Sequence, residues 1–208
     1  MSQTILLGRC KTGRVPRSPF YGRLTARVGT ARLKAALPHL PRGGRVLDVG
    51  CGLTDLPDRI ADYVGCDRNA EVLARQRQRF ARRDSGDFFE WDIARGEAPP
   101  ALEARAPFEG ILLLAVLEHV LDPAAVLSRL SPLLSPGGRI VATTPHPSGR
   151  WPLEAGAALG LLSPHARDEH EALLGRAALE EAGRSAGVPL VLYRRFLFGL
   201  NQLAVFSR

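Results

Sequence analysis

One stretch constrains this chain more than any other: Val46-Leu47-Asp48-Val49-Gly50-Cys51-Gly52, an apolar run that drives straight into a turn with two glycines. Glycine at 50 and 52 lets the backbone enter the left-handed region and approach a ligand closely, because no Cβ blocks either. A second short strand, Tyr63 to Cys66, ends in Asp67, about twenty residues beyond Asp48. A carboxylate at that position can accept both hydroxyls of a ribose. The two segments therefore read as the opening strand, turn and strand of a doubly wound sheet that holds a nucleotide at its edge. A dinucleotide fingerprint calls for a third glycine where this chain has Asp55, which weakens the nicotinamide reading.

The same logic extends along the chain. The patterning predicts a helix from Tyr21 to Leu37 that stops at Pro38, and a turn at Pro41-Arg42-Gly43-Gly44. Strands are expected over 45–49, 62–66, 87–91, 109–114, 138–143, 188–193 and 201–207, with helical patterns between most of them. Such alternation implies an α/β fold with a mostly parallel, doubly wound sheet covered by helices on both faces. Only Gly199-Leu200-Asn201 joins the last two strands, too short for a crossover, so the last strand is expected to be antiparallel. With 208 residues the chain fits a single core. It divides into a basic arm and capping helix, 1–40, and a main domain, 41–208.

Downstream of the glycine turn stand Asp87-Phe88-Phe89-Glu90-Trp91-Asp92-Ile93, then Phe108 through Glu118-His119-Val120, then Leu134-Ser135-Pro136-Gly137-Gly138 running into Thr143-Thr144-Pro145. In this order and spacing, over roughly 44–208, the chain resembles the class I S-adenosylmethionine-dependent methyltransferases, specifically the small-molecule type. That resemblance implies a Rossmann-like sheet of seven strands, one of them reversed, and S-adenosylmethionine as cofactor. It implies that Asp48, Gly50, Cys51 and Gly52 shape the pocket for the methionyl portion, with the amides of the turn facing the ligand. Asp67 would hold the ribose, Arg68 would cover the adenine, and Asp92 with the Ile93 amide would meet its amino group. The Ala115 carbonyl would face the ammonium, with Glu118 on the same wall. Between Gly52 and Asp62 there is room for barely two helical turns, with Pro57 near the first, so the long first helix of the family is cut short. Taken alone, Asp48 could instead cap its turn and Asp92 could start a helix.

Methyl transfer from a sulfonium asks mainly for alignment, and an oxygen nucleophile also gains from a base. The candidate bases are His146, just past the fifth strand, and His119, which has a structural reading as part of a helix start. His165 and His170 fall in an expected lid at about 146–170, whose apolar part, Trp151 to Leu162, suits a lipid, polyketide or quinone-like acceptor; a weaker likeness leaves saccharides open. The net charge of +7 suggests nucleic acid, but only Lys11 and Lys34 of the 28 basic residues are lysine, a bias that a GC-rich coding sequence produces. Arg75, Arg77, Arg79, Arg82 and Arg83 wrap most of one helix and read as a solvated surface. The fourth strand also lacks the Asn/Asp-Pro-Pro-aromatic turn of many base-amino methyltransferases. A nucleic-acid methyltransferase is therefore the alternative, alongside a non-catalytic interaction protein on the same scaffold. The basic arm, Arg9, Lys11, Arg14, Arg17 and Arg23, is the candidate for an anionic substrate or a peripheral membrane contact. The three cysteines have no metal-ligand spacing, and no metal is expected. No apolar run is long enough to span a bilayer, so a cytoplasmic protein is expected, as monomer or homodimer.

Overall fold

The structure is a computed structural model and describes residues 19–81, 87–149 and 174–208. Seven strands form one sheet: β1 Arg45–Val49, β2 Asp62–Asp67, β3 Asp87–Glu90, β4 Phe108–Leu114, β5 Leu134–Pro145, β6 Leu190–Phe196 and β7 Asn201–Ser207. Their order is β3-β2-β1-β4-β5-β7-β6. β1 pairs in parallel with both β2 and β4, whereas β7 runs antiparallel to β5 and β6. The chain winds outward from β1 to β3 and returns to β4, so the sheet switches direction between β1 and β4, where α/β sheets open a crevice at their carboxyl ends. The short β6–β7 turn lies at that same edge, because Asn201 pairs with Pro145 on one side and Phe196 on the other.

Helices cover both faces. α1, Pro19–Ala36, and α2, Ala70–Phe80, lie on one side, where Ala36, Leu73 and Phe80 join Val46, Tyr63, Leu112, Val141 and Val205. α3, Pro100–Glu103, α4, Pro123–Leu130, and α5, Arg176–Ser185, cover the other, where Leu102, Leu127 and Leu179 meet Leu47, Ile111, Ile140 and Phe206. The central strands are buried along almost their whole length, as expected for strands covered on both faces. Asn69 caps α2 by accepting from the Glu71 and Val72 amides, and Asp122 caps α4 by accepting from Ala125.

Two elements differ from expectation. β5 begins at Leu134 rather than 138, since Leu134 is buried and pairs with Phe108 before an irregularity at the exposed Pro136-Gly137 restores the register at Arg139. Between β1 and β2 the helix shrinks to one 3₁₀ turn, Leu56–Asp58, with Pro57 at its start. The loop before it is tied to α2 instead: Gln76 Nε2 donates to the Thr54 carbonyl at 3.0 Å and Arg79 pairs with Asp55. Trp91 and Phe88 are core residues. The expected lid lies outside the described residues from 150 onward, as do His165, His170, Arg82 and Arg83.

Gly183 shows how tightly α5 seats on the sheet. A Cβ there would come within 2.7 Å of both the Phe206 ring and the Val188 carbonyl oxygen. Alanine is the better helix former by about 1 kcal/mol, yet Gly183→Ala is expected to lower the melting temperature. Overpacking against backbone costs about 1–3 kcal/mol; thermal unfolding checks the sign.

Candidate functional site

The β1 turn is built by β2. The amides of Gly50 and Cys51 both donate to the Cys66 carbonyl, at 2.8 and 3.0 Å, and the Gly52 amide donates to Asp67 Oδ2 at 3.0 Å. This corrects the expectation that the turn's amides face a ligand; all three are spent inside the protein. What the turn presents is close approach, since Gly50 has φ +70° and a Cβ on it would lie 2.8 Å from Val116 Cγ2. Gly50 thus closes the switch point against the loop after β4. A Cβ on Gly52, by contrast, would meet open space.

Two carboxylates converge here. Asp67 accepts from Gly52 through Oδ2 and from the Asn69 amide through Oδ1 at 2.8 Å. A carboxylate offers about four acceptor sites, so two remain for a diol. Asp48 is buried and accepts from the Tyr63 hydroxyl at 2.9 Å. Burial pushes its carboxyl up to about 7 against the pull of Tyr63, and the Asp67 charge adds to the rise. Sequence reasoning missed Tyr63 as a partner; its one signal was its place on β2, beside Val46 of β1. Burial also pushes the Cys51 and Cys66 thiols far up, which leaves them as inert packing groups. Arg68 is exposed at the end of β2.

Past β3, Asp92 makes a turn rather than starting a helix, with Oδ1 accepting from the Ala94 amide at 3.2 Å. Ile93 is buried, and its carbonyl accepts from Arg129 Nη1 at 3.1 Å. Past β4, Ala115 sits at φ +62°, a left-handed position held by its amide donating to the Thr143 carbonyl at 2.9 Å. That kink turns the chain into the 3₁₀ segment Leu117–His119. His119 is exposed on it, while Glu118 is only 1% exposed. Arg32 of α1 approaches Glu118 Oε1 at 3.8 Å and donates to Asn201 Oδ1 at 2.9 Å. Burial raises the Glu118 carboxyl, Arg32 opposes the rise, and Glu118 Oε2 has no hydrogen-bond partner among the described residues. No sequence signal pointed to Arg32.

Past β5, Ser148 fixes His146: the Ser148 amide donates to Nδ1 at 3.0 Å, and the Ser148 hydroxyl lies 2.8 Å from the same nitrogen. The neutral ring therefore carries its hydrogen on Nε2. Burial and the Arg195 charge lower its pKa. Arg195 in turn donates to the Ser148 hydroxyl and the Gly199 carbonyl, joining β5 to the β6–β7 turn. That turn places Leu197 and Phe198 at φ +49° and +55°, each a conformation that costs an L-residue roughly 1–2 kcal/mol.

Asp48 on β1, Asp67 at the end of β2 and Glu118 after β4 bring three carboxylates to the switch point, a set that fits a cationic ligand with a ribose. A sulfonium nucleoside has that chemistry. Known proteins agree. The family described as "Methyltransferase domain" matches residues 21–192. A ubiquinone biosynthesis O-methyltransferase from Xylella fastidiosa is 40% identical over 105 residues, covering 49% of this chain and 42% of the relative. A second from Xanthomonas campestris is 32% identical over 131 residues, covering 62% and 53%. The chain thus spans about half the length of the curated relatives it matches. A Mesorhizobium loti S-adenosylmethionine-dependent methyltransferase superposes with a TM-score of 0.66 at 19% identity, covering 86% of this chain and 98% of that one. The magnesium protoporphyrin IX methyltransferase of Synechocystis, crystallised with S-adenosylhomocysteine, gives 0.64 at 17% identity, covering 94% and 89%. On these grounds the chain belongs to the class I S-adenosylmethionine-dependent methyltransferase family.

Proposed function

We propose that this chain transfers the methyl group of S-adenosylmethionine to a hydroxyl of a small-molecule acceptor, with a quinone-like phenol the foremost class and lipid, polyketide or saccharide hydroxyls the others. The acidic crevice carries the cofactor reading, and the O-methyltransferase relatives support oxygen as the acceptor atom. Bound there, the cofactor supplies a methyl group activated by a positively charged sulfur. Asp67 holds the ribose hydroxyls, Asp48 and Glu118 offset the positive charge, and Asp92 with Ile93 edges the adenine. Arg68 covers its face, and the Ala115 carbonyl meets the ammonium.

His146 and His119 divide the acceptor chemistry. The Nε2 hydrogen of neutral His146 is a donor, so His146 orients the acceptor oxygen through a hydrogen bond. His119 takes the hydroxyl proton as the oxygen attacks. Alignment supplies most of the rate in such a displacement.

Calorimetric titration with S-adenosylmethionine and S-adenosylhomocysteine tests this reading; micromolar binding of both is expected, and no binding of either would overturn it. The pH dependence adds a sharper check. A cationic ligand favours ionised Asp48, whose carboxyl sits at about 7 without ligand. Affinity for S-adenosylmethionine is therefore expected to rise about tenfold from pH 6 to pH 8. S-adenosylhomocysteine, which lacks the sulfonium charge, should respond less.

A further inference from the structure

Among the described residues only three non-glycine positions have positive φ: Ala115, Leu197 and Phe198. All three lie on the carboxyl edge of the sheet, and strain gathered in this way marks function. Ala115 shapes the crevice. The other two have no such account. They are the central residues of a tight turn, with the Gly199 amide donating to the Phe196 carbonyl at 3.1 Å. Asn-Gly meets that left-handed geometry with little strain, whereas Leu-Phe is among the poorer choices.

Among the described residues the strain brings Phe198 no internal packing, because it is 103% exposed, while Leu197 is half-buried. The turn is nevertheless held firmly: Arg195 Nη2 and Nε donate to the Gly199 carbonyl at 2.7 and 3.1 Å. A rigid, strained turn that displays a phenyl ring beyond the described residues suits a docking contact. Leu121, 84% exposed, lies in the loop between β4 and α4. Arg27 of α1 is an exposed cation, in a chain of net charge +7.

We propose that the Leu197-Phe198 turn is an apolar wedge that docks the carboxyl edge of the sheet on an anionic lipid bilayer. Two apolar side chains are too small a patch for a stable protein interface, which buries roughly 800 Å² per partner. An anionic bilayer interface takes up single aromatic side chains and attracts a cationic protein surface. Docked in this orientation, the crevice opens toward the membrane, where an apolar acceptor resides. The inference stands on exposure and backbone geometry and does not depend on methyl transfer.

Co-sedimentation of the full chain with vesicles tests it. At physiological salt the chain is expected to bind vesicles of mixed phosphatidylcholine and phosphatidylglycerol, and to bind pure phosphatidylcholine more weakly. The Leu197→Asn/Phe198→Gly double variant is expected to lose about tenfold or more in partition, the effect of withdrawing one phenylalanine from apolar surroundings. Because that variant carries the residues the turn prefers, its melting temperature should equal or exceed the parent's, so lost binding cannot be laid to unfolding. Unaltered binding by the variant, or no sedimentation of the parent with either vesicle, would overturn the proposal. So would a concentration-dependent dimer that the same variant abolishes, since it would assign the wedge to a second copy.

Discussion

Asp67→Ala is expected to weaken S-adenosylmethionine binding by about a hundredfold or more, the largest functional effect foreseen for this chain. Each hydrogen bond to a charged group contributes about 1.5–3 kcal/mol, and two ribose hydroxyls would lose theirs together. The variant also strips acceptors from the Gly52 and Asn69 amides, which loosens the glycine turn and the start of α2. Asp67→Asn separates the two effects. An asparagine keeps one oxygen for an amide but cannot accept from both hydroxyls and both amides. Calorimetry should rank the parent above Asn and Asn above Ala, with melting temperature falling mainly in Ala. Unchanged affinity in Asp67→Ala would remove this residue from the proposed site.

Arg32→Met is expected to be the most damaging single change to stability, and its cost should depend on pH. Glu118 is almost wholly buried, Arg32 is the cation beside it, and the Arg32 side chain is 15% exposed. Removing one partner of a buried pair costs about 3–5 kcal/mol; the 3.8 Å separation argues for the lower end. Burial already raises the Glu118 carboxyl above its ordinary 4.5, with Arg32 opposing. Without Arg32 the rise is larger. A carboxyl raised in the folded state binds its proton more tightly there than in the unfolded chain. Its ionisation therefore costs stability as pH rises from about 4.5 through the folded value, and the cost is relieved as pH falls back. The variant should be far less stable than the parent at pH 8 and approach it near pH 4.5. Denaturant unfolding at both pH values checks this, and Arg32→Met/Glu118→Gln should recover much of the loss at pH 8. A deficit equal at both pH values would mean that Arg32 acts through packing alone.

Legibility in the sequence followed the range of the interaction concerned. The β1 strand and its glycine turn, the carboxylate closing β2 and the reversed last strand all rest on neighbours within a few residues or on pattern period, and each was readable there. So was the shortening between β1 and β2, because Pro57 and the count of residues to Asp62 leave little room; that a single 3₁₀ turn would remain, anchored by Gln76 and Arg79, was not. The direction of the turn's amides was misread for the same reason. Their acceptors, Cys66 and Asp67, belong to the next strand, and register decides which groups they meet.

The sequence by itself determined a doubly wound, mostly parallel sheet with its last strand reversed, since periodicity, glycine freedom and chain economy act locally and survive without knowledge of contacts. Only the tertiary structure decided that Tyr63 would bond Asp48, that Arg32 would reach Glu118 and Asn201 across the fold, and that Arg195 would clamp Ser148 to a left-handed Leu197-Phe198 turn. Those pairings join residues far apart along the chain. Burial sets their chemistry, raising Asp48 and Glu118 and lowering His146, and burial exists only once the helices have closed over the sheet.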